Sequence, residues 1–217
     1  AIAQALSLGA KANNKSRGCG TIMRVAPIAF GVPRHEIFDL AIKTSALTHG
    51  DAAGQLAAAV WAELLHEVSF GTGLRFAAEE QYTKLSKAND DPSKRVAHFL
   101  RQALDARPDG TIATVESIGS GWESDEALGI ALYACLTARN LEHGLQISVV
   151  HSGDSDSTCS IAGNMLGLLY PDEVFDHRWL KQLGGADIIS HIALDLAHSQ
   201  HFTADLCHEI SSIYPAE

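Results

Sequence analysis

The chain has 217 residues and a formal net charge of −10, with 46% hydrophobic and 19% charged residues. That balance is globular rather than disordered, and an acidic excess with no offsetting Lys/Arg cluster disfavours binding to nucleic-acid backbones. No apolar run reaches the length of a membrane span and the amino-terminal stretch lacks a signal-peptide pattern, so a cytoplasmic protein without membrane association is expected.

In chain order, the first clear element is 35–48, where Ile37, Leu40, Ala41, Thr44 and Leu47 recur at spacings of three and four, the stripe of an amphipathic helix. Residues 51–68 are dominated by Ala and Leu, with Leu56, Val60, Leu64 and Val68 every fourth residue. Asp51 suits the N-cap or first turn there. A further helix is expected over 93–106, with Val96, Phe99, Leu100 and Leu104 on one side. Ser124, Asp125 and Glu126 open the next, continued by Leu128, Leu132 and Leu136. Residues 141–150 contain the one β-branched run, "QISVV", and read equally as helix or strand. Helices over 158–169 and 187–198 complete the series. Gly and Pro clusters mark loops at 15–20, 70–73, 107–110 and 119–121. No repeat or long linker divides the chain, so the expectation is one all-α domain over 1–217.

The four cysteines, Cys19, Cys135, Cys159 and Cys207, form no CxxC pair, and the eleven histidines show no HExxH spacing. Reduced, mostly buried thiols are expected, with no zinc knuckle or redox motif.

The sharpest motif is "HSGDSDSTCSIAGNMLGLLY", residues 151–170, which places Asp154 and Asp156 two positions apart at the mouth of an apolar helix. An EF-hand loop is excluded, because Cys159 stands where the turn glycine belongs and Met165 where the bidentate glutamate belongs. A DxDxT phosphatase would make Asp154 a nucleophile, but needs a parallel strand just before it. A hard-metal site fits better: Asp154, Asp156 and the Ser157 hydroxyl are oxygen donors suited to Mg²⁺, Mn²⁺ or Ca²⁺. The plain structural alternative is that Asp156 or Ser157 caps the helix. Ala162, Gly163 and Gly167 permit a neighbouring helix to approach closely, which would hold the loop in the core.

"SGDSDSTCSIAGNMLG" resembles the GGDTDT segment and small-residue helix of the ADP-ribosylglycohydrolase family. Two more stretches match in order: "GCGTIMRVAPIAF" (18–30) is similar to the family's NGSLMRIAP-type loop, and "THGDAAGQLAAAV" (48–60) to its ITHxD segment. "GSGWESDEALGIALYACL" (119–136) resembles the glycine-aromatic loop ahead of the metal motif. The family's early Thr-Asp-Asp cluster has no counterpart here, and 1–13 already resemble the approach to the Gly18 loop. The chain is therefore expected to be the carboxyl-terminal part of a longer protein, with an amino-terminal segment as its partner. Smaller departures are Cys19, where Asn is common, and Ser157, where Thr is usual.

The resemblance implies a two-metal Mg²⁺ or Mn²⁺ site with Asp154, Asp156 and Ser157 among its ligands, and a general acid or base in the absent segment. It implies substrate contacts from Gly20, Thr21, His49, Gly121 and Trp122. For each of these a structural role is the alternative: a glycine turn, a helix-terminal histidine, a tryptophan core plug. Arg24 is expected to anchor its loop, and Asp51 to cap its helix rather than bind metal. The implied activity is removal of ADP-ribose from a modified protein side chain, most plausibly arginine. The alternatives are the phosphatase-like hydrolase and a non-catalytic ADP-ribose-binding or crystallin-like relative.

Overall fold

The computed structural model describes residues 9–199. Residues 1–8 of the expected approach to the Gly18 loop, and Cys207, lie outside them. The helices run in the order α1 (Gly20–Met23), α2 (Ala26–Gly31), α3 (Arg34–Ala46), α4 (Ala52–Ser69), α5 (Leu74–Ser86) and α6 (Asp91–Asp105). They continue with α7 (Ile112–Ile118), α8 (Ser124–Thr137), α9 (Leu141–Val149), α10 (Ser155–Leu169), α11 (Pro171–Phe175) and α12 (Ala186–Ser199), with a 3₁₀ turn at Leu180–Gln182 before the last. Among the described residues there is no strand, only an isolated antiparallel bridge between Gly18 and Glu123. The fold class is all-α, as expected.

Two helices carry almost no polar face, and such helices belong in the interior. α4 buries the run Leu56 to Ala62 together with Leu64 and Leu65, and α8 buries Ala127 to Cys135. The alanines of α4 let neighbours come close: α3, α6, α8, α1 and α2 all pack on it. Trp61 from α4 and Tyr133 from α8 are the largest fully buried side chains. The Tyr133 hydroxyl donates to the Arg107 carbonyl at 2.8 Å, so the aromatic ring is buried without leaving its oxygen unpaired. α6 is amphipathic and turns Val96, Ala97, Phe99, Leu100, Ala103 and Leu104 inward. One continuous apolar cluster joins α1–α10.

Local signals set the helix starts. The Asp51 carboxylate accepts from Ala53 N (2.9 Å) and Gly54 N (3.1 Å), which makes it the N-cap of α4. Asp90 caps α6 through Ser93 N, and Asn140 caps α9 through His143 N.

Several boundaries differ from the sequence reading. α6 begins before Ser93, because Asp90 supplies the cap and Pro92 suits the first turn. α10 begins at Ser155 rather than Thr158. Its cap position is Asp154, which makes no side-chain cap bond, so neither Asp156 nor Ser157 caps the helix. Residues 141–149 are helix, which removes the strand that the phosphatase reading required. α5 and α7 are unanticipated. The expected 187–198 helix is present as α12, but Ile188 and Ile192 of its stripe are exposed.

Among the described residues no helix is long and apolar enough to cross a membrane. Cys19 and Cys135 are buried, Cys159 is half-buried, and all three are free thiols.

Candidate functional site

The four stretches singled out in the sequence meet where the amino-terminal ends of α1, α4, α8 and α10 converge. Backbone bonds stitch them together. Asp51 N donates to Ser16 O (3.2 Å), Cys19 N to Trp122 O (3.1 Å), Ser124 N to Arg17 O (2.8 Å) and Asp154 N to Ser120 O (2.8 Å). Asn14 adds a side-chain brace: its amide donates to Thr48 O, and its oxygen accepts from Gly50 N. A Cβ on Gly50 would lie 1.9 Å from the Asn14 carbonyl oxygen, so only glycine admits that approach.

Helix amino termini carry partial positive charge, and acids gather here to match it. Glu123 and the fully buried Asp125 face two guanidiniums. Arg17 bonds both Glu123 oxygens at 2.6 Å, and its Nε lies 3.8 Å from Asp125. Arg95 reaches Glu123 at 2.7 Å and also pairs with Asp125. Burial pushes the Asp125 carboxyl above its ordinary range, although Arg95 and Arg17 pull against it. The network locks the Gly18 loop to the start of α8.

Asp154 is buried, with Oδ2 accepting from the Cys19 thiol at 2.9 Å. Burial alone would push this carboxyl up. Hydrogen bonds with Cys19, Ser157 and Asp156 outweigh it and hold the group below the usual carboxylate range. The same contacts work in reverse on the thiol: burial and Asp154 push Cys19 up to about 11. Ser157 is buried beside Asp154, and Asp156 points to solvent.

His151 supports the loop from behind. Its Nδ1 accepts from Gly153 N (3.2 Å), so Nε2 carries the proton and faces Thr158 Oγ1 (2.9 Å). Thr158 in turn donates to the Ser148 carbonyl at 2.8 Å. Burial lowers the His151 pKa, consistent with this neutral tautomer. Glu116 accepts from Ser152 N and Oγ, and Glu126 from Ser120 and Gly121 N.

The substrate residues implied by the resemblance take different positions. The His49 ring lies over Gly18 and Gly20, its atoms 3.4–3.8 Å from where Cβ atoms there would be. Its Nδ1 meets Thr48 Oγ1 at 2.7 Å, and burial and Arg24 lower its pKa. Thr21 is 1% exposed, with its hydroxyl on Ser124 Oγ (3.1 Å) and Gly54 O. Gly121, at φ +81°, packs its backbone on Thr158 and Asp154. Trp122 is 62% exposed, a free aromatic surface at the rim rather than a core plug. Arg24 bonds the Gly20 and Thr44 carbonyls and the Thr48 hydroxyl, tying α1 to α3. Thus His49, Gly20, Gly121, Trp122, Asp154 and Ser157 line or frame one place, whereas the Thr21 hydroxyl is turned inward.

The paired arginines, and the thiol contact of Cys19, had no sequence signal: Arg17 and Glu123 are 106 residues apart, Cys19 and Asp154 135. The departure at Cys19 from the family's usual Asn was the one available hint.

An all-helical fold with a glycine loop, a capped histidine segment and an Asp-x-Asp-Ser turn whose Asp154 and Ser157 are buried, all at one junction, defines a narrow class. The chain matches the ADP-ribosylglycohydrolase family over residues 1–205, and it belongs to that family. An uncharacterised protein of Archaeoglobus fulgidus is 27% identical over 183 residues, covering 82% of this chain and 57% of that protein. A solved structure described as an ADP-ribosylglycohydrolase-related protein complex superposes with a TM-score of 0.68 at 24% identity, covering 84% of this chain and 60% of that one. The chain therefore spans less than two thirds of the length of these relatives.

Proposed function

We propose that the protein removes ADP-ribose from a modified protein side chain by hydrolysing the glycosidic bond, with a divalent cation at the Asp154 turn. The observation that carries this reading is the buried Asp154 carboxylate, kept ionised at the junction of the Gly18 loop, the His49 segment and the Trp122 loop. The arginine acceptor rests on the family resemblance.

The donor chemistry fits Mg²⁺ or Mn²⁺. Asp154, Asp156 and Ser157 offer only oxygen atoms, as hard cations prefer, and Asp154 is disposed to stay charged. They would furnish part of a coordination shell. Among the described residues no group of three or more His, Cys, Asp and Glu side chains is arranged to hold a metal ion. A two-metal site, as the family resemblance implies, would need ligands beyond these three.

When bound, such a cation supplies Lewis-acid polarisation and a more acidic water. The chain's own residues do the rest. Cleavage of a ribosyl bond develops positive charge on the sugar, which the Asp154 and Asp156 carboxylates stabilise electrostatically. In the Gly18–Gly20 loop the Gly18 and Cys19 N–H groups are already bonded, to Ser16 Oγ and the Trp122 carbonyl, so a diphosphate would meet the Gly20 N–H, where no Cβ intervenes. The neutral His49 ring covers that loop and orients the ribose-phosphate. The exposed Trp122 indole offers a stacking face for sugar or adenine.

The test is release of ADP-ribose from an arginine-ADP-ribosylated protein with added Mg²⁺ or Mn²⁺, comparing the protein with its Asp154→Asn variant. Loss of a ligand should slow release by more than the ~10–100-fold typical of an outer-shell partner. Equal, metal-independent rates would sink this reading, and tight ADP-ribose binding without release would move the protein to a binding role.

A further inference from the structure

In the Cys19–Asp154 contact both partners are buried and both backbones are pinned to the same loop. Cys19 N is held by the Trp122 carbonyl, Cys19 O accepts from Met23 N at 3.2 Å, and the adjacent Gly18 bridges Glu123. Asp154 N is held by the Ser120 carbonyl. Neither residue can shift without moving loop 119–123, so the thiol has a fixed aim at Oδ2.

We infer that Cys19 is a positioning residue for the cation site, orienting the Asp154 carboxylate through its S–H bond rather than touching substrate. The inference rests on the functional reading above. A carboxylate that binds a cation needs a fixed orientation. The Cys19 thiol supplies that orientation through its one bond to Oδ2. It holds one edge of the carboxylate and leaves the group's charge available. Second-shell partners of this kind set ligand orientation and affinity at metal sites.

The probe is Mn²⁺ alone, its binding to the protein followed by loss of the free-ion electron paramagnetic resonance signal. Wild type, Cys19→Ala, Cys19→Ser and Asp154→Asn are compared, with metal-free thermal melts of each. Cys19→Ala should weaken Mn²⁺ binding ~10-fold, within the range for outer-shell partners. Cys19→Ser, which keeps a donor on a shorter arm, should recover most of that loss, with both melts near the wild type. The inference is overturned if Cys19→Ala binds Mn²⁺ as wild type does while Asp154→Asn does not. It is also overturned if Ala and Ser lose binding equally and both melt early, the signature of a merely structural residue. If Asp154→Asn still binds Mn²⁺ normally, the functional reading fails first and the positioning role with it.

Discussion

Gly153 and Ser120 are in such close contact that one methyl group cannot be placed between them: a Cβ on Gly153 would lie 1.8 Å from the Ser120 carbonyl oxygen. The same oxygen accepts the Asp154 N–H at 2.8 Å. The turn that presents Asp154 is thus held by backbone fit. Gly153→Ala should therefore destabilise the protein by more than ~2 kcal/mol, in the upper part of the range for single substitutions. Urea denaturation would read this, and a loss below about 0.5 kcal/mol, ordinary for a surface change, would show that the loops separate cheaply.

Asp125 is 0% exposed between Arg95 and Arg17. Asparagine keeps its shape and removes its charge, leaving two guanidiniums short of a counter-ion. Breaking a buried pair costs several kcal/mol, but both arginines keep partial contact with water and Glu123, so Asp125→Asn should cost on the order of 2 kcal/mol. Chemical denaturation of the variant checks it. An unchanged midpoint would mean that Glu123 alone anchors both arginines.

His151 makes stability depend on pH. Burial lowers its folded pKa below the ordinary 6.5, with Ser148, Glu116 and Asp154 offsetting part of the shift. The unfolded chain then binds the proton more readily, so the contribution is whole above about pH 6.5 and is lost as pH falls through the folded value. The His151→Gln variant should show a shallower fall in Tm between about pH 7 and pH 5. His49 is lowered in the same direction, by burial and Arg24, so some slope persists. Parallel curves for variant and wild type would remove His151 as the source.

Trp122 separates binding from folding. Because its side chain is mostly exposed, Trp122→Ala should change stability by no more than about 0.5 kcal/mol. If the indole stacks on ADP-ribose, the variant should lose about 1 kcal/mol of binding energy, the worth of one aromatic contact. Calorimetric titration with ADP-ribose measures it. Full affinity in the variant would leave the indole without a role in binding.

Much of this architecture is legible in the sequence because it is set by local rules. The stripe at 35–48, the Asp51 cap and the acidic opening of α8 each depend on residues within a turn or two, and all three stand as read. α5 escaped because its buried set is sparse: only Leu74, Ala77, Ala78 and Leu85 turn inward, and alanines are weak markers of a stripe. "QISVV" was ambiguous because a short apolar run has no period of its own, and Asn140 capping decided for helix. At the site, the Asp-x-Asp turn is visible in the sequence, but its surroundings are not. That Thr21 turns inward to Ser124, that Trp122 turns outward, and that Cys19 reaches Asp154 are facts of tertiary packing between segments a hundred or so residues apart.

That separation has a consequence for how the protein matures. Helices assemble from near neighbours and form early, whereas contacts across long loops come late because chain entropy opposes them. The Cys19–Asp154 bond closes a span of 135 residues. During synthesis the Gly18 loop waits until α10 has left the ribosome. A partly folded chain would show nearly full helicity by circular dichroism and no site at all, so ligand binding at Asp154 reports on completed folding more faithfully than secondary-structure content does.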